Sequence, residues 1–202
     1  MIAVLMGTGL AAAAGLNAYI PVLLVGLVAR WTDVLTLPGA YHWIEHPVVL
    51  GMVAVLLVSE LLLDKIPVVD SVNDALGTVI RPVTGGLIFA AAQAADQVEG
   101  STWMRDHQWL GVALGVAVAA TVHSVKAVSR PVINVTTAGA GGPIVSTAED
   151  ASALTLSLIA IFTPILVIGG VVVLGSGLRA MWIRVASSRR RLRHLGTGAP
   201  SG

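Results

Sequence analysis

Long apolar stretches separated by short polar clusters set the rhythm of this chain. Ile2 to Ala29 is 28 residues without a charged side chain, and Ala151 to Leu178 is another 28. As a continuous helix each would reach ~42 Å, more than a ~30 Å hydrocarbon layer requires. The first run is therefore expected to tilt, or to break near Gly15-Leu16-Asn17-Ala18-Tyr19-Ile20-Pro21, where glycine and proline loosen the backbone. Pro164 and Gly169-Gly170 offer kink points in the last run. Between the two, Pro47–Leu63 and Trp109–Val125 read as spans. The alanine-rich Pro82–Val98 reads as a short span or as part of a re-entrant hairpin starting near Ser71. The pattern predicts an all-α fold, a polytopic transmembrane helix bundle of about five spans with broken or kinked helices and room for one re-entrant segment. Residues 1–178 form the transmembrane domain, and 179–202 an Arg-rich tail.

Composition narrows the class. The chain has 202 residues, 55% of them apolar and 11% charged, and no cysteine. Soluble domains carry about 25% charged residues. A disordered chain, a disulfide-stapled module and a thiolate metal site are all excluded. A net charge of +1 is too balanced for a nucleic-acid partner.

The distribution of charge suggests an orientation. Residues 1–178 hold six basic and eleven acidic side chains, whereas 179–202 hold six basic and none acidic. The cluster Arg184, Arg189, Arg190, Arg191 and Arg193 reads as a cytoplasmic tail under the positive-inside rule. Ten arginines against two lysines suggest a GC-rich bacterial genome, hence a bacterial inner membrane. No basic residue precedes Arg30, so the basic start of a signal peptide is missing. With five spans, Trp31, Trp43, Trp103, Trp109 and Trp182 all fall on the tail's side. The N-terminus is then expected opposite, beside the polar segments 64–81 and 126–150.

The polar residues near the ends of the spans are the candidate chemistry. Glu60 and Asp64 are one helical turn apart and share a face. With Asp70 and Asp74 they place four carboxylates within fifteen residues. Such a group suits a cation or a proton relay, unless Lys65 and Arg81 simply neutralise it. His123, Lys126 and Arg130 form a basic stripe at i, i+3, i+7 spacing. That stripe suits a helix C-terminus, pairing with the acids of 64–81, or contact with a lipid head group or anionic solute. His123 alone makes no metal site. Ser146-Thr147-Ala148-Glu149, followed by Asp150, fits a capping box, and Ser71-Val72-Asn73-Asp74 has a related pattern. Ala138-Gly139-Ala140-Gly141-Gly142-Pro143 lacks the Gly-Lys-Ser/Thr ending of a phosphate loop and reads as a mobile linker.

Several of these motifs occur together in a recognisable order. Gly15-Leu16-Asn17-Ala18-Tyr19-Ile20-Pro21 is followed by Glu60-Leu-Leu-Leu-Asp64-Lys65-Ile66-Pro67-x-x-Asp70-x-x-x-Asp74 and by Arg81-Pro82. His123-x-x-Lys126-x-x-x-Arg130 and Ser146-x-x-Glu149-Asp150 come later. Over roughly residues 7–170 the chain resembles the bacterial membrane family catalogued as domain of unknown function 4126. The resemblance implies an integral membrane protein and carries over no reaction, catalytic residue or cofactor.

The leading functional expectation is a small-solute or ion transporter, or a channel-like protein. Its binding groups would come from Glu60, Asp64, Lys65, Asp70, Asp74, Arg81, His123, Lys126, Arg130, Glu149 and Asp150, with Asp64, Lys65, Asp74 and Arg130 at the centre. The runner-up is a non-enzymatic accessory or scaffold subunit of a larger membrane complex, with lipid binding. An intramembrane enzyme ranks below both, because no nucleophile–base pair or metal motif supports it. The expected partners are membrane lipids and, for an assembly, further copies of the chain or a larger membrane complex.

Overall fold

Asn17 divides the first apolar run into two helices, α1 (Ile2–Leu16) and α2 (Tyr19–Trp31). Its backbone is extended, with φ −143° and ψ 119°. Its side-chain oxygen accepts hydrogen bonds from the amides of Tyr19 (3.0 Å) and Ile20 (3.2 Å). These are donors that the first turn of a helix leaves without partners, so Asn17 stabilises the start of α2 while ending α1. The computed structural model describes residues 1–95, 106–137, 140–169 and 172, apart from the side chains of 67–71. Trp103, Trp182 and the Arg-rich tail lie outside the described residues.

The neighbours of α1 and α2 show that the chain reverses direction at Asn17. Early in α1, Gly7 lies against Phe89, and Gly9 against Ala160 and Val167. At its end, Gly15 reaches Ala119 and Val122. On α2, Ile20 packs with Ala13 and Ala153, whereas Gly26 lies against Ile44 and Leu50. Met6 and Leu10 of α1 share one core cluster with Val25 and Val28 of α2. The two helices therefore form a hairpin whose tip is Asn17-Ala18. They are ~22 and ~20 Å long, shorter than a ~30 Å hydrocarbon layer. As expected of a helix apolar on every side, α1 is enclosed by its neighbours, with Leu10, Ala11, Ala13 and Ala14 fully buried.

The remaining helices among the described residues are α3 (Pro47–Leu63), α4 (Pro67–Ala94), α5 (Gln108–Thr136) and α6 (Gly141–Phe162). These helices belong to one compact unit, Met1–Ile168. The fold is all-α, with no strand among the described residues. Among the described residues three helices, α4 to α6, are long and apolar enough to cross a membrane. A fourth candidate combines α3 with the 3-10 turn Gly39–Glu45 before it, from which α3 bends by 56°. The α1–α2 hairpin supplies the fifth apolar element read from the sequence.

Among the described residues the most extensive helix pairing is between α4 and α5, which run antiparallel. It depends on small residues at the crossing. A methyl added at Gly115 would meet the Gly85 carbonyl oxygen and, at 2.7 Å, the Phe89 side chain. A methyl at Gly85 would strike Ala119.

Four expectations are corrected by the helix boundaries and their neighbours. The polar segment 64–81 is not a loop between spans, because the chain turns only over Asp64–Ile66 and then continues as α4 straight through Pro82. α5 likewise continues through Arg130-Pro131 to Thr136. Proline in a helix interior costs ~3 kcal/mol and disfavours helix at the residue before it. Here packing and ion pairing along the same helices oppose that preference. Ser71–Asp74 and Ser146–Glu149 are not helix caps, since both lie inside helices. Finally, the start of α1 lies beside Phe89 and Val167, away from Asp64 and Arg130. The N-terminal end thus sits with the α4 C-terminus and not with the polar segments. The direction reverses at Asn17, so the first apolar run does not carry the chain to the opposite end.

Other details match the reading from the sequence. Helix α3 has the expected bounds, and α6 gives way at Thr163 to a 3-10 turn at Pro164–Leu166. Trp31, Trp43 and Trp109 all lie at the end of the bundle where α2 finishes and α3 and α5 start, and all three are exposed.

Candidate functional site

Where the hairpin tip meets α3 to α6, charged side chains are packed away from solvent. Arg81, on α4, is 1% exposed. Its Nη2 donates to Glu60 Oε1 on α3 at 2.8 Å, and its Nη1 donates to Asp74 Oδ1 at 3.2 Å. The same Nη1 lies 2.8 Å from His123 Nδ1 on α5. His123 Nε2 lies 3.1 Å from Thr78 Oγ1, which in turn donates to the Asp74 carbonyl. A guanidinium has donors and no acceptor. Nδ1 must therefore accept, Nε2 carries the proton, and the ring is the neutral tautomer.

A second centre is built on Asp64, just past the end of α3. Its Oδ2 lies 3.2 Å from Lys126 Nζ and 3.0 Å from Arg130 Nη2, and its Oδ1 accepts from Asn73 Nδ2. Burial pushes the Asp64 pKa up, but Lys126, Arg130 and the Asn73 bond outweigh it and hold the carboxyl below the ordinary aspartate value. Glu149 Oε2 pairs with Lys126 (3.2 Å) and with Arg130. Arg130 Nε faces Asp74 Oδ2 at 3.9 Å, which joins this centre to that of Arg81.

The helix break supplies the remaining polar groups. Lys126 Nζ donates to the Leu16 carbonyl at 3.0 Å, capping the negative end of the α1 dipole. Asn17 Nδ2 donates to Asp150 Oδ1 at 3.0 Å. Among the described residues the cluster thus holds five carboxylates (Glu60, Asp64, Asp74, Glu149, Asp150) against three cations (Arg81, Lys126, Arg130). Three of its buried oxygens have no hydrogen-bond partner there: Glu60 Oε2, Asp150 Oδ2 and the hydroxyl of the adjoining Ser146.

The structure brings together nine of the eleven residues singled out from the sequence. Asp70 lies on the backbone of α4, and its side chain is outside the described residues. Lys65 stays apart: it is exposed, and its Nζ donates to the Leu61 carbonyl at 2.8 Å. The cations beside Asp64 are Lys126 and Arg130, 62 and 66 positions away in the chain. Sequence reasoning passed over Asn17, Asn73, Thr78 and Ser146 as site residues. Asn17 did carry a signal, as a hydrogen-bonding amide inside a 28-residue charge-free run.

Comparisons with curated proteins and with solved structures give no match for this chain. A family profile matches residues 4–184, extending beyond the quoted motifs at both ends and into the first arginines of the tail. With most of its length matched, and with apolar helices of membrane-spanning length, the chain is an integral membrane protein belonging to the family described as Domain of unknown function (DUF4126).

Proposed function

We propose that this protein moves a small solute or ion across the membrane, with the buried cluster at the Asn17 break as its binding site. The observation that carries this reading is the excess of carboxylates over cations, together with the three buried oxygens that lack partners. Charged groups inside a membrane protein are costly, and an unbalanced set is stabilised by taking up a cation or a proton. A helix break adds backbone groups freed from the helical ladder, a device by which transporters hold ions near the middle of the membrane. The orientation that fits this reading places the Arg-rich tail in the cytoplasm of a bacterium, at its inner membrane.

The test is ion flux into liposomes carrying the purified protein. With a potassium diffusion potential imposed, an internal pH dye reports proton entry, and a sodium dye reports sodium entry. Flux above that of protein-free liposomes is expected, reduced at least tenfold by Asp150→Asn, which keeps the oxygen that accepts from Asn17. Proton and sodium flux equal to protein-free liposomes, with the protein folded, overturns the proposal. The accessory-subunit reading would then gain, since the same ion pairs tie α3, α4, α5 and α6 together.

A further inference from the structure

A groove with a volume of about 370 Å³ opens between α2, α3 and α6, beside the charge cluster, which it meets at Asp150. Its walls are almost entirely apolar: Ile20, Leu23 and Leu24 from α2, Leu57 and Leu61 from α3, and Leu154 from α6. Lys65, Thr147 and Asp150 line its polar end. The volume falls within the ~300–1,000 Å³ of ordinary ligand sites.

Lys65 indicates the occupant. At the cluster, Arg81, Lys126 and Arg130 each face carboxylates, whereas Lys65 makes no ion pair among the described residues. Its Nζ gives one hydrogen bond to the Leu61 carbonyl, and an ammonium has three to give. The side chain therefore lines the groove with its ammonium folded back on its own helix at the groove's polar end, where two of its hydrogens remain to be given. Asp150 shares that end and keeps one oxygen on Asn17, whereas the Lys65 ammonium has hydrogens left to give, which matches an acyl chain attached to an anionic head.

We infer that this groove is a phospholipid site, in which one acyl chain lies between α2, α3 and α6 and the lipid phosphate meets the Lys65 ammonium. The inference does not depend on transport. Phosphate and ammonium attract across an interface of low dielectric, where a charge pair is worth more than in water. The leucines hold the chain by packing and dispersion.

Thermal unfolding of the full-length protein in mild detergent tests this, with two added lipids that have the same acyl chains. Dioleoylphosphatidylglycerol should raise the unfolding midpoint by several degrees, and dioleoylglycerol, which lacks the phosphate, should raise it much less. Water-soluble glycerol phosphate should give no shift, because it has no chain for the groove. Lys65→Met should abolish the difference between the two lipids. Leu154→Trp, at a half-exposed wall position, fills the groove and should abolish it too. The inference is overturned if the two lipids act equally on the unaltered protein, or if either folded variant keeps the full phosphatidylglycerol shift.

Discussion

Arg81 Nη1 lies 2.8 Å from His123 Nδ1, an approach that requires the imidazole to be neutral and to accept. Protonating His123 would turn that acceptor into a second donor facing a guanidinium. The Thr78 hydroxyl completes the relation, since its oxygen accepts a hydrogen bond from Nε2–H and its O–H donates to the Asp74 backbone carbonyl. The ring is thus fixed between two helices by groups that each have only one workable role.

Nitrogen NMR of histidine-labelled protein at neutral pH should show His123 with a bare Nδ1 and a protonated Nε2. The opposite tautomer, or an imidazolium, would contradict the arrangement around Arg81.

The Asp64–Lys126 pair is expected to be structural as well as central. Removing one partner of a buried pair strands the other and costs ~3–5 kcal/mol. Asp64→Asn and Lys126→Met should each lower thermal stability sharply, and the double variant should recover part of the loss. Lys65→Met should change stability by less than ~0.5 kcal/mol, as for an ordinary surface position. Equal effects of the two lysine substitutions would show that the pairing is misassigned.

Asp64 also gives a pH dependence with a definite sign. Its folded-state pKa is lowered, so the stabilisation is present above the pKa of an unfolded aspartate and is lost as pH falls through the folded value. Acid melts of the unaltered protein should therefore fall more steeply than those of Asp64→Asn. Parallel curves would remove Asp64 as the source.

Gly115→Ala should destabilise the α4–α5 contact by ~1–3 kcal/mol, since the added methyl meets the backbone of Gly85. Gly51→Ala, where nothing lies within 4 Å, should be neutral or slightly stabilising. Melting curves of the two variants make the comparison.

The hairpin makes a topological prediction that can be tested against a cysteine-free background. Single cysteines at Ile2, Asp33 and Asp106 should react with an impermeant reagent from one side, and cysteines at Lys65 and Ala140 from the other. Labelling of Ile2 with the Lys65 group would restore a first segment that crosses without reversing.

The sequence by itself determined the material of this protein: which stretches are apolar, that they are helices, and that one of them must either tilt or break near residues 15–21. Those properties follow from local composition, in which 28 uncharged residues exceed a membrane's thickness and a Gly-Leu-Asn-Ala-Tyr-Ile-Pro segment weakens the helix within them. The basic stripe of α5 was legible for the same reason, because helical periodicity alone puts His123, Lys126 and Arg130 on one face. Only the tertiary structure decided which charges meet. Lys65 adjoins Asp64 in the chain but points to its own helix, whereas Lys126 reaches Asp64 from another, because partners at a helix end are chosen by neighbouring helices and not by sequence distance. The prolines at 82 and 131 lie inside α4 and α5 against their local preference, because those helices pack and pair along their length. Direction, too, was a tertiary matter. One asparagine, bonded to two amides of the next helix and to a carboxylate on α6, turns an apparent crossing into a hairpin.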